Sequence, residues 1–306
     1  MDELLAVSDE VAAALADHRP VVALESSLIA HGPAYPRNVE IAVAVEKAVR
    51  DSGAVPATIG LADGRFVIGM DEAMVARFAE DRSIPKVSAR DIGRVLAGGG
   101  LGATTVASTI VAAERSGIQV FSTAGIGGVH RGAQQSFDIS ADLLQFTRTR
   151  IAVVCAGAKS ILDLPLTVEY LETAGVPVLG YQCAELPAFY SRSSGLPVPR
   201  VDDLPGAARA IDLHWQVHGG GTVLLTVPID EEHALDRDQI EQAIQQALAE
   251  AQRAGVTGNA VSPFMMKAVG TATNGRSGAA TRSVLISTAA VAGELAVAMS
   301  ALTGRG

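Results

Sequence analysis

The sequence predicts one α/β domain over residues 1–306, a three-layer α/β/α sandwich with helices on both faces of a central mixed sheet. Short apolar runs typical of buried strands alternate along the chain with longer stretches whose apolar residues recur at helical spacing. Hydrophobic residues make up 48% of the chain and charged residues 19%, a balance typical of a folded protein with a substantial core. Aromatic residues make up 4%, so aliphatic side chains must build that core. No internal repeat, low-complexity tract or linker divides the sequence.

The first half of the chain alternates between the two patterns. Leucines, valines and alanines at helical spacing predict a helix over Glu3–Ala16, which ends before Pro20. The apolar run Val21–Leu24 predicts a short buried strand. The other elements predicted here are the amphipathic helix Asn38–Ser52, the hairpin strands Ala57–Leu61 and Phe66–Gly69, and the helices Asp71–Glu80, Ala89–Ala97 and Val106–Ser116.

The second half continues the alternation. The strands Gln119–Thr123 and Ile151–Cys155 flank a glycine-rich turn and a helical run that ends near Arg148. Further along, Asp236 and Gln239 resemble a capping box that opens a long helix. The remaining predicted elements are the strands Val176–Tyr181 and Thr222–Val227, and helices at Leu164–Ala174, Asp202–Val217, Asp236–Ala254, Pro263–Val269 and Ala279–Leu302.

Charge and composition exclude several classes of protein. The net charge is −9 and no basic run stands out, which argues against binding of a nucleic acid polymer. Cys155 and Cys183 lack the CxxC spacing, so a reducing compartment is the simplest inference. No apolar run reaches about 18 residues and the N-terminus is acidic, so we expect neither a membrane span nor a secretory signal. These features predict a soluble, cytoplasmic protein.

The stretch Gly117–Asp163 concentrates the residues that could carry chemistry. Lys159 follows the apolar strand Ile151–Cys155 directly after the small residues AGA. Reactive groups of α/β proteins lie at the ends of strands, and desolvation there favours the free amine, which attacks carbonyl carbon. A solvated lysine at the start of a helix is the alternative interpretation.

Two further side chains stand at similar positions. Glu25 follows the strand Val21–Leu24, where burial of a carboxylate is costly, so it is either a general acid/base or a group held by backbone amides. Lys86 and Ser88 precede a helix and suit an anion, unless Lys86 is simply solvated.

Acids, a histidine and glycines suggest two kinds of ligand. Asp138 and Asp142, with His130 nearby, suit a hard divalent cation held partly through water. The alternative is a pair of solvated acids at a helix N-terminus, where the macrodipole favours them. The glycine-rich segment 98–102 lacks a preceding strand and the GxGxxG order, which excludes a dinucleotide fingerprint.

Several motifs together resemble the pseudouridine-5′-phosphate glycosidase family. They are ALESSLIAHG, KVSARD, GATTVAST, GIGGVHRG, FDISADL and VVCAGAKSILD, in an order and spacing that extends from about Val21 to the C-terminal helix. The resemblance implies an α/β/α fold and a C-glycosidase that reversibly splits pseudouridine 5′-phosphate into uracil and ribose 5-phosphate. It also implies a divalent metal, typically Mn²⁺, and a homotrimer.

The resemblance also assigns roles to individual residues. Lys159 matches the family's nucleophilic lysine, Glu25 its proton donor and Asp138 its metal ligand. A carbon–carbon glycosidic bond has no oxygen leaving group, so an iminium on Lys159 would supply the electron sink that such chemistry needs. Residues that match substrate-binding positions or lie inside the matching motifs are Lys86, Thr105, Val106, His130, Ser140, Ala141 and Asp142.

Three departures from the family pattern bear on the acceptor. Val227 replaces the asparagine of an ANP motif, Thr281 replaces that of an AAN motif, and HGMPYP reads HGPAYP at His31–Pro36. An amide pairs with a uracil edge, whereas valine and threonine suit a larger or more apolar acceptor. The sequence therefore predicts a C-glycosynthase of the kind found in antibiotic pathways such as alnumycin, which joins ribose 5-phosphate to an aromatic acceptor. The alternatives are an ordinary pseudouridine-5′-phosphate glycosidase, a Schiff-base sugar-phosphate aldolase and a non-catalytic ligand-binding protein.

Overall fold

The computed structural model describes residues 2–256 and 261–303 and contains one mixed sheet. The strands of this sheet are Leu5–Val7 (β1), Val21–Glu25 (β2), Val55–Ala62 (β3), Arg65–Ile68 (β4), Lys86–Val87 (β5), Gly102–Thr104 (β6), Val120–Ser122 (β7), Ala152–Cys155 (β8), Val178–Tyr181 (β9), Arg200–Val201 (β10) and Val223–Thr226 (β11).

Helices occupy most of the remaining described chain. They are Asp9–Ala16 (α1), Ser27–His31 (α2), Arg37–Asp51 (α3), Glu72–Glu80 (α4), Ile92–Gly98 (α5), Val106–Ser116 (α6), Ala133–Ser136 (α7), Ala141–Phe146 (α8), Leu164–Thr173 (α9), Leu204–His218 (α10), Arg237–Arg253 (α11), Val261–Ala272 (α12) and Arg276–Thr303 (α13). Short 3₁₀ turns occur at Ala89–Asp91 and Glu231–His233.

The strand order explains why helices cover both faces. Along the sheet the order is β1-β4-β3-β2-β7-β8-β11-β9-β10, with β6 beside β3 and β5 beside β6. From β3 through β2, β7, β8, β11 and β9 to β10 all neighbours are parallel, whereas β4 and β6 run antiparallel to β3. The chain steps from β2 to β3 through α3 and, in the opposite direction, from β7 to β8 through α8. Because such crossovers are right-handed, these helices lie on opposite faces, and the predicted α/β/α sandwich is confirmed.

Helix α13 forms the middle of one helical layer. The segment Arg276–Leu302 is long and apolar enough to cross a membrane, with a mean hydropathy of 1.7, but half of its apolar window is buried inside the protein. It packs against α3 and α10 and against β2, β7 and β8. Ala289 and Ala292 are fully buried, and their small side chains permit close contact. The hydropathy of α13 is that of a core helix.

The N-terminal prediction is wrong in its first turn. Leu5–Val7 is a strand parallel to β4, and helix α1 begins only after Ser8, whose Oγ accepts the Val11 N–H at 3.4 Å. Three residues are too few to show the two-residue period of a strand, so the apolar spacing of the segment predicts one continuous helix instead. The predicted hairpin of β3 and β4 is confirmed, and so is the cap of α11, where Asp236 Oδ1 accepts the Gln239 N–H at 2.9 Å. The short strand β5 was not predicted.

Candidate active site

Three neighbouring parallel strands bring the predicted chemical groups to one edge of the sheet. Strand β2 ends at Glu25, Thr123 follows β7, and the segment after β8 leads to Lys159. The carboxyl ends of parallel strands share one edge, where α/β proteins place their ligands. The structure therefore gathers residues from distant parts of the sequence at one edge of the sheet.

Glu25 is half-buried and held by two hydroxyl groups. Thr123 Oγ1 donates to Glu25 Oε1 at 2.6 Å, and Ser27 Oγ donates to Glu25 Oε2 at 2.5 Å. Each carboxylate oxygen thus has one hydroxyl partner, which fixes the orientation of the group. Among the described residues, hydroxyl groups hold this carboxylate and no backbone amide donates to it. Thr123 and Ser27 were not predicted as site residues, although Thr123 ends a predicted strand.

Lys159 lies half-buried in a tight turn after β8. Its N–H donates to the Ile126 carbonyl at 3.1 Å, and its own carbonyl accepts the Leu162 N–H at 3.0 Å. Gly157 leads into this turn with a φ of +80°, and a Cβ there would lie 2.1 Å from the Pro187 carbonyl oxygen. The small residues before Lys159 are therefore required by the backbone path.

Lys86 lies within electrostatic range of Lys159 and Glu25. It is exposed to solvent, yet enough protein atoms surround it to desolvate its ammonium group in part. Partial desolvation lowers the pKa of Lys86, and the positive charge of Lys159 lowers it further, while Glu25 and Asp142 oppose the shift. An anionic ligand would relieve this repulsion between the two lysines.

The N-terminus of α6 completes a site that suits an anion. Thr105 precedes this helix, and its N–H donates to the Val87 carbonyl at 3.1 Å, next to Lys86 in β5. Thr105 Oγ1 is buried and faces the Ser108 N–H in a capping-box arrangement, but it makes no hydrogen bond of normal geometry among the described residues. Val106, the first residue of the helix, is buried. An ammonium, an unpaired hydroxyl and a helix N-terminus are the groups that bind phosphate.

Asp142 connects two loops of the site. This buried carboxylate accepts the Ala107 N–H on Oδ1 at 3.0 Å and the Gly127 N–H on Oδ2 at 2.8 Å. Ser140 Oγ caps α8 by accepting the Asp142 N–H at 3.2 Å, and Ala141 is exposed at the same helix N-terminus. Asp142 therefore holds the start of α6 against the glycine-rich turn 125–132. Its sequence context did not indicate this role. Its contact with substrate stays a prediction.

His130 and Asp138 lie side by side next to this turn. His130 Nδ1 is 3.8 Å from Asp138 Oδ2, and the His130 N–H donates to the Asp138 carbonyl at 3.0 Å. Burial lowers the pKa of His130 despite the nearby Asp138 carboxylate, and Lys159 lowers it further. The neutral imidazole is therefore favoured at this position.

The donor set around Asp138 fits one kind of metal site. The Asp138 carboxylate accepts no hydrogen bond from described residues, whereas both Asp142 oxygens already accept backbone N–H groups. No cluster of three or more His, Cys, Asp or Glu side chains occurs in the described chain. These residues do not fit a closed all-protein cage, but they fit a hard divalent cation that keeps most of its water. Manganese itself stays a prediction.

Two of the three departures from the family pattern, Val227 and Thr281, lie in different parts of the fold, one directly after β11 and the other in α13. Buried Val227 follows β11, and its N–H donates to the Cys155 carbonyl at 2.8 Å. The hydroxyl of the buried Tyr190 lies near Ser277 and Thr281 of α13, and burial raises the pKa of that phenol. Thr281 Oγ1 donates to the Ser277 carbonyl at 2.9 Å, within its own helix. Neither position offers a side-chain amide.

Comparisons with known proteins identify the family of this chain. The family described as indigoidine synthase A like protein matches residues 10–298. A pseudouridine-5′-phosphate glycosidase of Dickeya dadantii (strain 3937) is 57% identical, over 97% of this chain and 94% of that protein. The crystal structure of the prealnumycin C-glycosynthase AlnA in complex with ribulose 5-phosphate is 59% identical, with a TM-score of 0.95 and full coverage of both chains.

A more distant solved structure has the same fold. The indigoidine synthase A like protein of Thermotoga maritima is 32% identical, with a TM-score of 0.88 over 97% of both chains. The family match, the identities and the coverage all extend over nearly the whole chain. This protein belongs to the indigoidine synthase A like family, the pseudouridine-5′-phosphate glycosidase family that its motifs indicated.

Proposed function

We propose that this protein is a C-glycosidase or C-glycosynthase acting on ribose 5-phosphate through a Schiff base on Lys159. The observation that carries the proposal is that Lys159 and the hydroxyl-bound carboxylate of Glu25 both lie close enough to Lys86 for their charges to shift its pKa. A glycosidase and a C-glycosynthase, both more than half identical to this chain, support it.

The phosphate group gives the sugar its position. The Lys86 ammonium, the Thr105 hydroxyl and the Val106 N–H at the start of α6 would hold it, because the next amide, that of Ala107, already donates to Asp142. Binding energy from this non-reacting group orients C1′ toward Lys159. Ser140 and Ala141, exposed or half-exposed at the N-terminus of α8, would border the sugar.

The covalent steps follow from an amine and a carboxyl group at one site. In the direction of synthesis, the Lys159 amine condenses with the C1′ aldehyde of open-chain ribose 5-phosphate and releases water. The acceptor carbon then attacks the iminium carbon and loses a proton, and the amine leaves as the sugar 4′-hydroxyl closes on C1′. Glu25 moves protons between the sugar oxygen and the acceptor carbon. Cleavage is the same sequence in reverse.

A divalent cation, Mn²⁺ in our proposal, would be held by Asp138 beside His130. When bound, it supplies positive charge that stabilises oxygen anions of the sugar phosphate. His130, whose lowered pKa favours the neutral form, can accept a hydrogen bond from a water of the cation or from a sugar hydroxyl. We also propose a homotrimer, as the family resemblance implies, and a cytoplasmic location, as the composition predicts.

We propose an aromatic compound rather than uracil as the acceptor. Val227 is buried and apolar, and the Thr281 hydroxyl is engaged with Ser277, so neither presents the amide that would pair with a uracil edge. The second candidate is the ordinary glycosidase reaction with uracil, which the 57% identical glycosidase favours.

A competition assay separates the acceptors. The protein is incubated with ribose 5-phosphate, Mn²⁺ and equal concentrations of uracil and a polycyclic aromatic phenol, and the products are separated by mass. We expect the aromatic C-riboside phosphate as the main product and its loss with a chelator. Pseudouridine 5′-phosphate as the main product would overturn the choice of acceptor. Carbon–carbon bond formation with aldehydes that resists chelation would favour an aldolase instead.

A further inference from the structure

Arg131 connects the turn that carries Lys159 to helix α11. Its Nε donates to the Leu162 carbonyl at 3.3 Å, and its Nη2 donates to the Ser160 carbonyl at 3.2 Å. On its other side the same guanidinium binds Glu241 of α11, with Nη1–Oε1 at 2.5 Å and Nη2–Oε2 at 2.8 Å. One planar group thus holds two carbonyls that follow Lys159 and one carboxylate.

The two carbonyls lie where the position of Lys159 is set. The turn is closed by the Leu162 N–H, which donates to the Lys159 carbonyl at 3.0 Å. It is also held by Ser160 Oγ, which donates to the Ala188 carbonyl at 2.6 Å. A lysine amine sits on a flexible stem of four carbons, so only the backbone turn fixes where it can reach. Arg131 is the side chain that holds this turn from the side of α11.

Glu241 fixes the orientation of the guanidinium. Its bidentate contact with Arg131 is the strongest geometry for such a pair, and Gln245 Nε2 also donates to Glu241 Oε1 at 2.7 Å. The hydrogen bond from Arg131 lowers the pKa of Glu241, so the carboxylate is charged at neutral pH. Arg131 is three-quarters buried, with a side chain 22% exposed. The Glu241 side chain is 45% exposed, so the restraint on the pair comes from its bidentate geometry and from the burial of Arg131.

We propose that Arg131 is a positioning residue for Lys159 and that Glu241 keeps its guanidinium in place. The inference rests on the proposed Schiff-base function, because it concerns the reach of the Lys159 amine toward C1′. Each of the three guanidinium nitrogens of Arg131 donates a hydrogen bond to a protein oxygen. Its proposed role is therefore to position Lys159 and not to contact the substrate. Its removal would loosen the turn, and a displacement near 1 Å from the reacting geometry costs about 100-fold in rate.

The test measures Schiff-base formation directly. Wild type, Arg131→Ala and Arg131→Lys are mixed with saturating ribose 5-phosphate and borohydride, and the rate of adduct formation on Lys159 is followed by intact mass and peptide mapping. For Arg131→Ala we expect a 10- to 100-fold slower rate, a KM for ribose 5-phosphate within about 3-fold of wild type, and partial recovery with added guanidinium ion. Arg131→Lys keeps the charge but not the fork and should lie between the two.

Controls separate positioning from folding and from the proposed function. Arg200→Ala removes an exposed ion pair, in which Arg200 Nε lies 2.6 Å from Asp202 Oδ1. This variant should form the adduct at the wild-type rate. If Arg131→Ala does not fold by circular dichroism, Glu241→Gln replaces it, with an expected 3- to 10-fold slower rate, about 1 kcal/mol. A folded variant that traps sugar as fast as wild type, or that slows without any response to guanidinium, overturns the positioning role. A wild-type protein that forms no adduct overturns the proposed function instead.

Discussion

The hydroxyl of Thr123 lies 2.6 Å from the carboxylate of Glu25, although 98 positions separate the two residues in the chain. The contact arises because strands β2 and β7 are parallel neighbours. Leu24 pairs with Ser122, and Glu25 and Thr123 are the residues that follow them. The hydrogen bond, together with that of Ser27, holds the proposed proton-transfer group in one orientation. The precision of the site therefore depends on the sheet as well as on the reactive residues.

Thr123→Val should lower kcat about 10- to 100-fold and leave the KM for ribose 5-phosphate nearly unchanged. The substitution keeps the side-chain shape but removes one donor to a charged group, which costs about 1.5–3 kcal/mol. Steady-state kinetics with both substrates measures the effect. Thr222→Val is the matched control, since Thr222 Oγ1 donates to the Thr149 carbonyl at 2.9 Å at the opposite end of the sheet. An equal loss of kcat in both variants would contradict the positioning of Glu25.

The affinity for ribose 5-phosphate should weaken as the pH rises through the lowered pKa of Lys86. Desolvation and Lys159 lower the pKa of Lys86, so its ammonium form is lost at a lower pH than that of a free lysine. We expect KM to increase as pH passes through that lowered pKa. Lys86→Arg keeps a positive charge throughout and should give a flat profile. The same rise in both proteins would show that another group is responsible.

Gly127→Ala should destabilise the protein by about 1–3 kcal/mol. A Cβ at this position would lie 2.1 Å from Ser140 Oγ and 2.8 Å from Asp142 Oδ2. The hydrogen bonds by which Asp142 joins the turn at Gly127 to the start of α6 would therefore have to shift. Urea unfolding measures the change in free energy of unfolding. Gly93→Ala is the control, because a Cβ there meets nothing within 4 Å, and alanine in helix α5 should be neutral or stabilising. Equal stability of the two variants would contradict this role of Asp142.

The sequence predicted the class of fold because strand and helix periods are local properties. Val21–Leu24 and Ile151–Cys155 are apolar runs that can be identified without knowing their partners, and both are strands in the structure. Leu5–Val7 is too short to show its period, and only its pairing with β4 makes it a strand. A pattern within one segment cannot reveal a pairing between segments.

The same limit applies to the site. Glu25 and Lys159 could be identified because they follow strands, but the contacts that orient them join distant segments. The position of Asp142 at a helix N-terminus predicts a metal or substrate ligand, but it cannot reveal that the carboxylate accepts backbone amides 15 and 35 positions away. Arg131 carried no local signal, since its partner Glu241 lies 110 positions further along the chain.

Restoring amides at the two departures should change the choice of acceptor. The double variant Val227→Asn and Thr281→Asn would offer donors and acceptors where the present side chains are apolar or engaged. We expect the ratio of uracil product to aromatic product to rise at least about 10-fold, because one additional hydrogen bond to uracil would favour its transition state by about 1.4 kcal/mol. Competition between the two acceptors measures it, with the single variants in parallel. An unchanged ratio would show that these positions do not select the acceptor.

The most direct test of the account is reductive trapping on the wild-type protein and on Lys159→Ala. Each is incubated with ribose 5-phosphate, Mn²⁺ and borohydride, and the adduct is located by peptide mapping. We predict one pentose-phosphate adduct on Lys159 in the wild type and none in the variant. An adduct confined to Lys86, or no adduct in a wild-type protein that still makes product, would contradict a Schiff base on Lys159.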